Sequence, residues 1–80
     1  MAETGIRLCI AVWDVLAQIH RLVGRLPVGT PDTLKHSTSQ ELFHAARATL
    51  NDESIWQALK PPFKREIHHR LVRLIAEGVI

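Results

Sequence analysis

The first helical segment of this 80-residue chain is apolar around too much of its circumference for one small core. Leu8, Val12, Val15, Ile19, Leu22 and Leu26 follow an unbroken 4-3-4-3-4 spacing. A second rail, Cys9, Trp13, Leu16 and Val23, runs one residue later, with His20 in its remaining slot. One such stripe is enough to seat an amphipathic helix on a core. Two stripes ask for two covers, and the rest of the chain is short. The sequence therefore points to an interface with another protein chain through Cys9, Trp13, Leu16, His20 and Val23. The structural alternative is that Val28 and Leu34, in the connection that follows, fold back over the second rail.

Size sets the scale of that problem. A chain of this length makes a single domain and buries roughly two-thirds of the surface its unfolded form exposes, which leaves little margin. Apolar residues at 46% and charged residues at 22% are ordinary globular values and argue against intrinsic disorder. A lone cysteine excludes an internal disulfide framework and fits a reducing compartment. No secretory signal is apparent, and Asp14, Gln18, His20 and Arg21 break the first apolar run before it reaches the ~20 residues that a bilayer requires. These features read as a cytoplasmic protein with no membrane partner.

Punctuation divides the chain into helices. The first is predicted over Ile6–Leu26, with Thr4 as its N-cap and Pro27 as its stop. The connection from Pro27 to Ser37 holds a local signal of its own. Thr30-Pro31 reads as a cap followed by proline at the first helical position, giving one turn through Leu34. Ser37-x-x-Gln40 and Thr38-x-x-Glu41 both fit the capping box. They open a helix running to about Leu50 that buries Leu42, Phe43, Ala46 and Leu50. Asn51 or Asp52 then caps a short helix carrying Ile55, Trp56 and Leu59, which Lys60-Pro61-Pro62 terminates. The last helix is predicted from Pro62 to Gly78, with Phe63, Ile67, Leu71, Leu74 and Ile75 as its core stripe and Glu66–Arg70 as an i,i+4 ion pair. Nothing alternates with strand periodicity. The fold class is all-α: a small compact bundle whose long N-terminal helix is packed by two further helices and one short one.

Chemical motifs are absent. Five histidines raise the question of metal, but zinc sites use pairs at tight loop or helical spacings. His20, His36 and His44 are far apart, and adjacent His68 and His69 diverge by about 100° around a helix. Cys9 lies in an apolar stripe without a neighbouring base, and no Gly-x-Ser-x-Gly elbow occurs. The carboxylates at Asp52 and Glu53 have capping and dipole roles at a helix start. The expectation is a non-enzymatic protein with no cofactor and no metal.

Charge is unevenly distributed. Between Lys60 and Arg73 there are five Lys or Arg, two His and one acid, Glu66. Lys60, Lys64, Arg65, His69, Arg70 and Arg73 are the candidates for contact with nucleic acid or with an acidic partner. Reading the last three helices as a helix-turn-helix is less apt, because the short helix begins with acids that would repel DNA at the groove. The preferred expectation is a small regulator or inhibitor that docks on a partner protein, as a homodimer or a hetero-complex, through the first helix. The alternative is a nucleic-acid-binding domain that uses the last helix.

Overall fold

A computed structural model describes the backbone of residues 2–78 and the side chains of residues 7–78. Five helices follow one another: α1 (Ala2–Val23), α2 (Pro31–Leu34), α3 (Ser39–Leu50), α4 (Glu53–Ala58) and α5 (Pro61–Gly78). The all-α expectation holds, and no strand occurs among the described residues. At 1.5 Å per residue, α1 spans most of the 36 Å long dimension of a molecule measuring 36 × 23 × 17 Å. It packs against both α3 and α5, which also pack on each other, while α2 crosses back to α1.

Both ends of α1 differ from the sequence expectation. The helix already includes Ala2, so Thr4 lies inside it rather than capping it. At the other end it stops at Val23, not Leu26. Gly24 takes φ +90° and its amide donates to the His20 carbonyl at 2.7 Å. A residue without Cβ adopts that left-handed conformation freely and so closes the helix before the proline is reached. The apolar spacing continues to Leu26 regardless, which is why periodicity alone overran the end.

The remaining starts are local and follow their signals. Thr30 and Thr33 form a reciprocal capping box with Pro31 at the first position of α2. Of the two boxes available to α3, Thr38–Glu41 is the one made. Ser37 instead donates its hydroxyl to the Thr33 carbonyl at 3.4 Å. Asp52, not Asn51, caps α4 through the Ser54 amide at 3.1 Å. The turn from α3 to α4 is tied to the end of α1 by Arg25, which pairs with Asp52 at 3.4 Å and also donates to the Ser54 hydroxyl.

Val12, Val15, Leu16 and Ile19 of α1 are fully buried and form the centre of the core. Leu34, Leu42, Phe43, Ala46, Ile55, Trp56, Leu59, Ile67 and Leu71 close around them. Leu50, Leu74 and Ile75 pack at the edge, half-buried. Two residues counted for the core are outside it: Leu22 and Phe63 are each 45% exposed. They line one shallow cleft with Arg21, Ala58, Leu59 and Lys60, where the end of α1 meets the turn into α5.

Candidate interaction surfaces

The second rail of α1 does not form a free face. Leu16 is 0% exposed and therefore cannot contact a partner; its place is in the core. α3 and α5 pack on α1, and the short helix α2 of the connection folds back to it as well, with Leu34 buried. That is the structural alternative the sequence left open. Val28, the other anchor in that alternative, remains 37% exposed and does not complete the cover. Val23 is half-buried and packed on the core edge, and His20 is half-buried. The five expected contact residues are thus split between core, edge and one opening.

That opening lies at the N-terminal half of α1. Cys9, Ile10 and Trp13 form one wall, and Leu34, Lys35, Ser37 and Leu42 the other, around a groove of about 260 Å³. Its floor is fixed. The Trp13 indole donates to the Pro31 carbonyl at 2.8 Å, and Lys35 Nζ sits 5.3 Å from the ring centroid. A cation placed over an indole face is attracted by the ring quadrupole, which restrains both side chains. Ile10, at 55% exposure, is the most open large apolar residue described. Sequence reasoning missed it because it belongs to neither rail, yet it stands three residues before Trp13 and hence on the same side of the helix.

The groove is smaller than the ~300–1,000 Å³ typical of small-molecule sites. It suits one or two inserted side chains. No acid lines it.

The second surface is α5. Only Ile67 and Leu71 of this helix are fully buried, and its cationic residues are all exposed. Lys64, Arg65, His68 and His69 share one outer face with Pro61 and Val72. His68 is held by an edge-on contact with Trp56, centroid to centroid 5.0 Å. Trp56 is in turn fixed by its indole donating to the Leu50 carbonyl at 2.8 Å. Lys60 lies in the Leu22–Phe63 cleft, while Arg70 and Arg73 border α1 beside Ala11, Leu74 and Glu77. The expected Glu66–Arg70 ion pair does not form; Arg70 reaches across to Gln18 of α1 at 3.4 Å instead. Among the described residues the one ion pair is Arg25–Asp52, so the cations of α5 carry no carboxylate partner.

Two acids are engaged elsewhere, at helix starts. Hydrogen bonds from the Thr38 backbone and hydroxyl hold the Glu41 carboxyl below its ordinary range. A hydrogen bond from Ser54, with a smaller contribution from Arg25, does the same for Asp52. No group of three His, Cys, Asp or Glu side chains placed to hold a metal ion occurs among the described residues, and no helix of these residues is long and apolar enough to cross a membrane. Compared with known proteins, the chain matches no family model, and no curated protein or solved structure matches it significantly.

Proposed function

We propose that this chain is a non-enzymatic, cytoplasmic docking protein that uses the open groove of α1, and that the groove's occupant is a second copy of the chain. The observation that carries the reading is Ile10, an exposed aliphatic residue beside a rigid apolar slot. A two-fold dimer must present the same patch on both subunits, and each patch must complement itself. Arg7 and Asp14 give α1 that property. Both are exposed, neither has an ion-pair partner among the described residues, and they flank Ile10 at i−3 and i+4 on one side of the helix. Antiparallel α1 helices crossing near Ile10 bring Arg7 of each copy opposite Asp14 of the other. The two isoleucines then meet near the axis, each reaching toward the partner copy's Trp13 groove.

Dimerisation of this kind leaves the rest of the surface available for regulation of a further partner. The test is the molar mass of the purified chain by light scattering across micromolar to millimolar concentrations. Self-association that Ile10→Asp abolishes, that Arg7→Asp weakens, and that Arg7→Asp with Asp14→Arg restores supports the reading. A chain that stays monomeric throughout, or an Ile10→Asp variant that associates like the parent, overturns it.

A further inference from the structure

We infer that the outer face of α5 is a binding surface for the phosphate backbone of double-stranded nucleic acid, recognised without regard to sequence. This rests on observations separate from the α1 groove and stands or falls independently of it.

Segregation of charge comes first. The chain carries only two more cations than acids overall. Yet the stretch from Lys60 to Arg73 holds five Lys or Arg against the single acid Glu66. Glu41 and Asp52 are spent on the α3 and α4 caps, and among the described residues no carboxylate pairs with a cation of α5. An exposed cationic face without carboxylate partners leaves a local positive potential, and clustered charge of one sign steers and holds a polyanion.

The kind of polyanion follows from what else the face contains. Cores of protein–protein interfaces are depleted of lysine and built on aromatic or aliphatic anchors in pockets. Here the shared outer face is Pro61, Lys64, Arg65, His68, His69 and Val72, with Val72 as its one large apolar residue, 39% exposed. Nucleic-acid interfaces are more polar and far more positive, which this face resembles. Single strands call for aromatic platforms on which bases stack. Trp56, which lies against His68, is 6% exposed and cannot serve as one, and Phe63 lines the separate cleft toward Leu22. Duplex is the better fit. Its major groove, ~12 Å wide, accepts one α-helix, and α5 is seated on the core through so narrow a stripe that most of its circumference faces solvent.

Rigidity completes the case. Trp56 packs edge-on against His68, and Pro61 and Pro62 preset the backbone of the first turn. The cationic side chains therefore emerge from a backbone that is already ordered before contact.

The experiment uses the whole chain and a fluorescently labelled mixed-sequence DNA duplex, with anisotropy read from roughly 50 to 200 mM salt. If about four phosphates are neutralised, log affinity falls against log salt with a slope near −3.6, a loss of roughly 100-fold across that range. Arg65→Gln with Lys64→Gln should lower the slope by about 2 and weaken binding to all duplexes alike. Arg21→Gln with Arg47→Gln removes the same net charge outside α5 and should leave affinity within about twofold. Since all four positions are exposed, circular dichroism should show both pairs folded. No binding at the lowest salt, equal loss from the two pairs, or equal affinity for poly-glutamate would each overturn the inference. The last outcome would assign the face to an acidic protein.

Discussion

Trp13 Nε1 donates to the carbonyl oxygen of Pro31 at 2.8 Å, across 18 residues of sequence. The same carbonyl accepts the Lys35 amide at 3.2 Å, and the Lys35 ammonium lies 5.3 Å from the centroid of the indole. One tryptophan thus receives a proline carbonyl at its edge and a lysine at its face, both from the segment that follows α1. This arrangement draws α2 onto the rail that α1 would otherwise expose. It also reduces the apolar surface that a partner can reach.

Replacing Trp13 by Phe keeps an aromatic ring on the groove floor and removes its N–H. The Pro31 carbonyl retains the Lys35 amide, so no acceptor is orphaned and the cost is that of one net hydrogen bond, about 1 kcal/mol. For a domain of this size that corresponds to a drop in melting temperature of ~4–8 °C. Thermal unfolding followed by circular dichroism checks it. A melting point equal to that of the parent would mean that the indole bond does not hold α2 in place.

The Thr38–Glu41 box makes α3 sensitive to acid. Thr38→Ala removes an N-cap and is expected to cost about 1 kcal/mol. Glu41 is held below its ordinary 4.5 by hydrogen bonds from Thr38 that only the folded chain makes. Its contribution is therefore present above the unfolded pKa and is lost as pH falls through the lower folded value. Asp52, ordinarily 3.8 and lowered by Ser54, acts in the same direction. Urea midpoints should consequently decline below about pH 4.5. Glu41→Gln, which can still accept within the box but has no charge to titrate, should flatten that decline and lower the neutral-pH midpoint toward the value the parent reaches in acid.

What the sequence made legible is what short-range chemistry decides. Thr30-Pro31, Thr38 with Glu41, and Asp52 each satisfy amides within three residues, and each start falls where its cap stands. The buried stripes of α3 and α5 were legible for the same reason, being set by helical period. Distances along the chain defeated the rest. Which part of the second rail meets solvent depends on where α2, α3 and α5 land, and α2 is held to Trp13 by a carbonyl eighteen residues away. Arg70 was assigned to Glu66 one turn back, but Gln18 of α1 lies within its reach. Leu22 and Phe63 fit their stripes, yet both stand at the end of the bundle beyond the packed layers. The cationic face of α5 could be named residue by residue. That its charges lack carboxylate partners is a property of the fold, in which the one ion pair of the described residues is Arg25–Asp52.

Thr49 is the buried polar residue of the core, 1% exposed, and its hydroxyl donates to the Ala45 carbonyl at 2.7 Å. That carbonyl is also placed for the helix's own i→i−4 bond, so removal of the hydroxyl leaves it satisfied. Thr49→Val keeps the branched shape and replaces a polar atom by a methyl in an apolar setting. It is expected to be neutral or to stabilise by up to about 1 kcal/mol. Thr49→Ser, which keeps the hydroxyl and deletes the methyl, should cost about 1 kcal/mol through the void it leaves. Chemical denaturation of the two variants orders them, and a Val variant less stable than the Ser variant would show that the hydroxyl matters more than the methyl.

Gly78 lies at the end of α5 against the ring of Phe43, and a Cβ built there runs into the ring carbons. Helix propensity alone predicts that Gly78→Ala stabilises α5, by up to ~1 kcal/mol. The contact predicts the opposite, because Phe43 is 8% exposed and its ring cannot swing away without disturbing the layer between α3 and α5. Overpacking of this kind costs about 1–3 kcal/mol, so the net effect of Gly78→Ala should be destabilising. Phe43→Leu shortens the obstructing side chain and loses packing of its own. Combined with Phe43→Leu, however, Gly78→Ala should become neutral or favourable. A double-mutant cycle reads the coupling directly. If the alanine stabilises the parent chain as much as it stabilises the Phe43→Leu variant, the ring does not rest on Gly78 in solution and the end of α5 is free of α3.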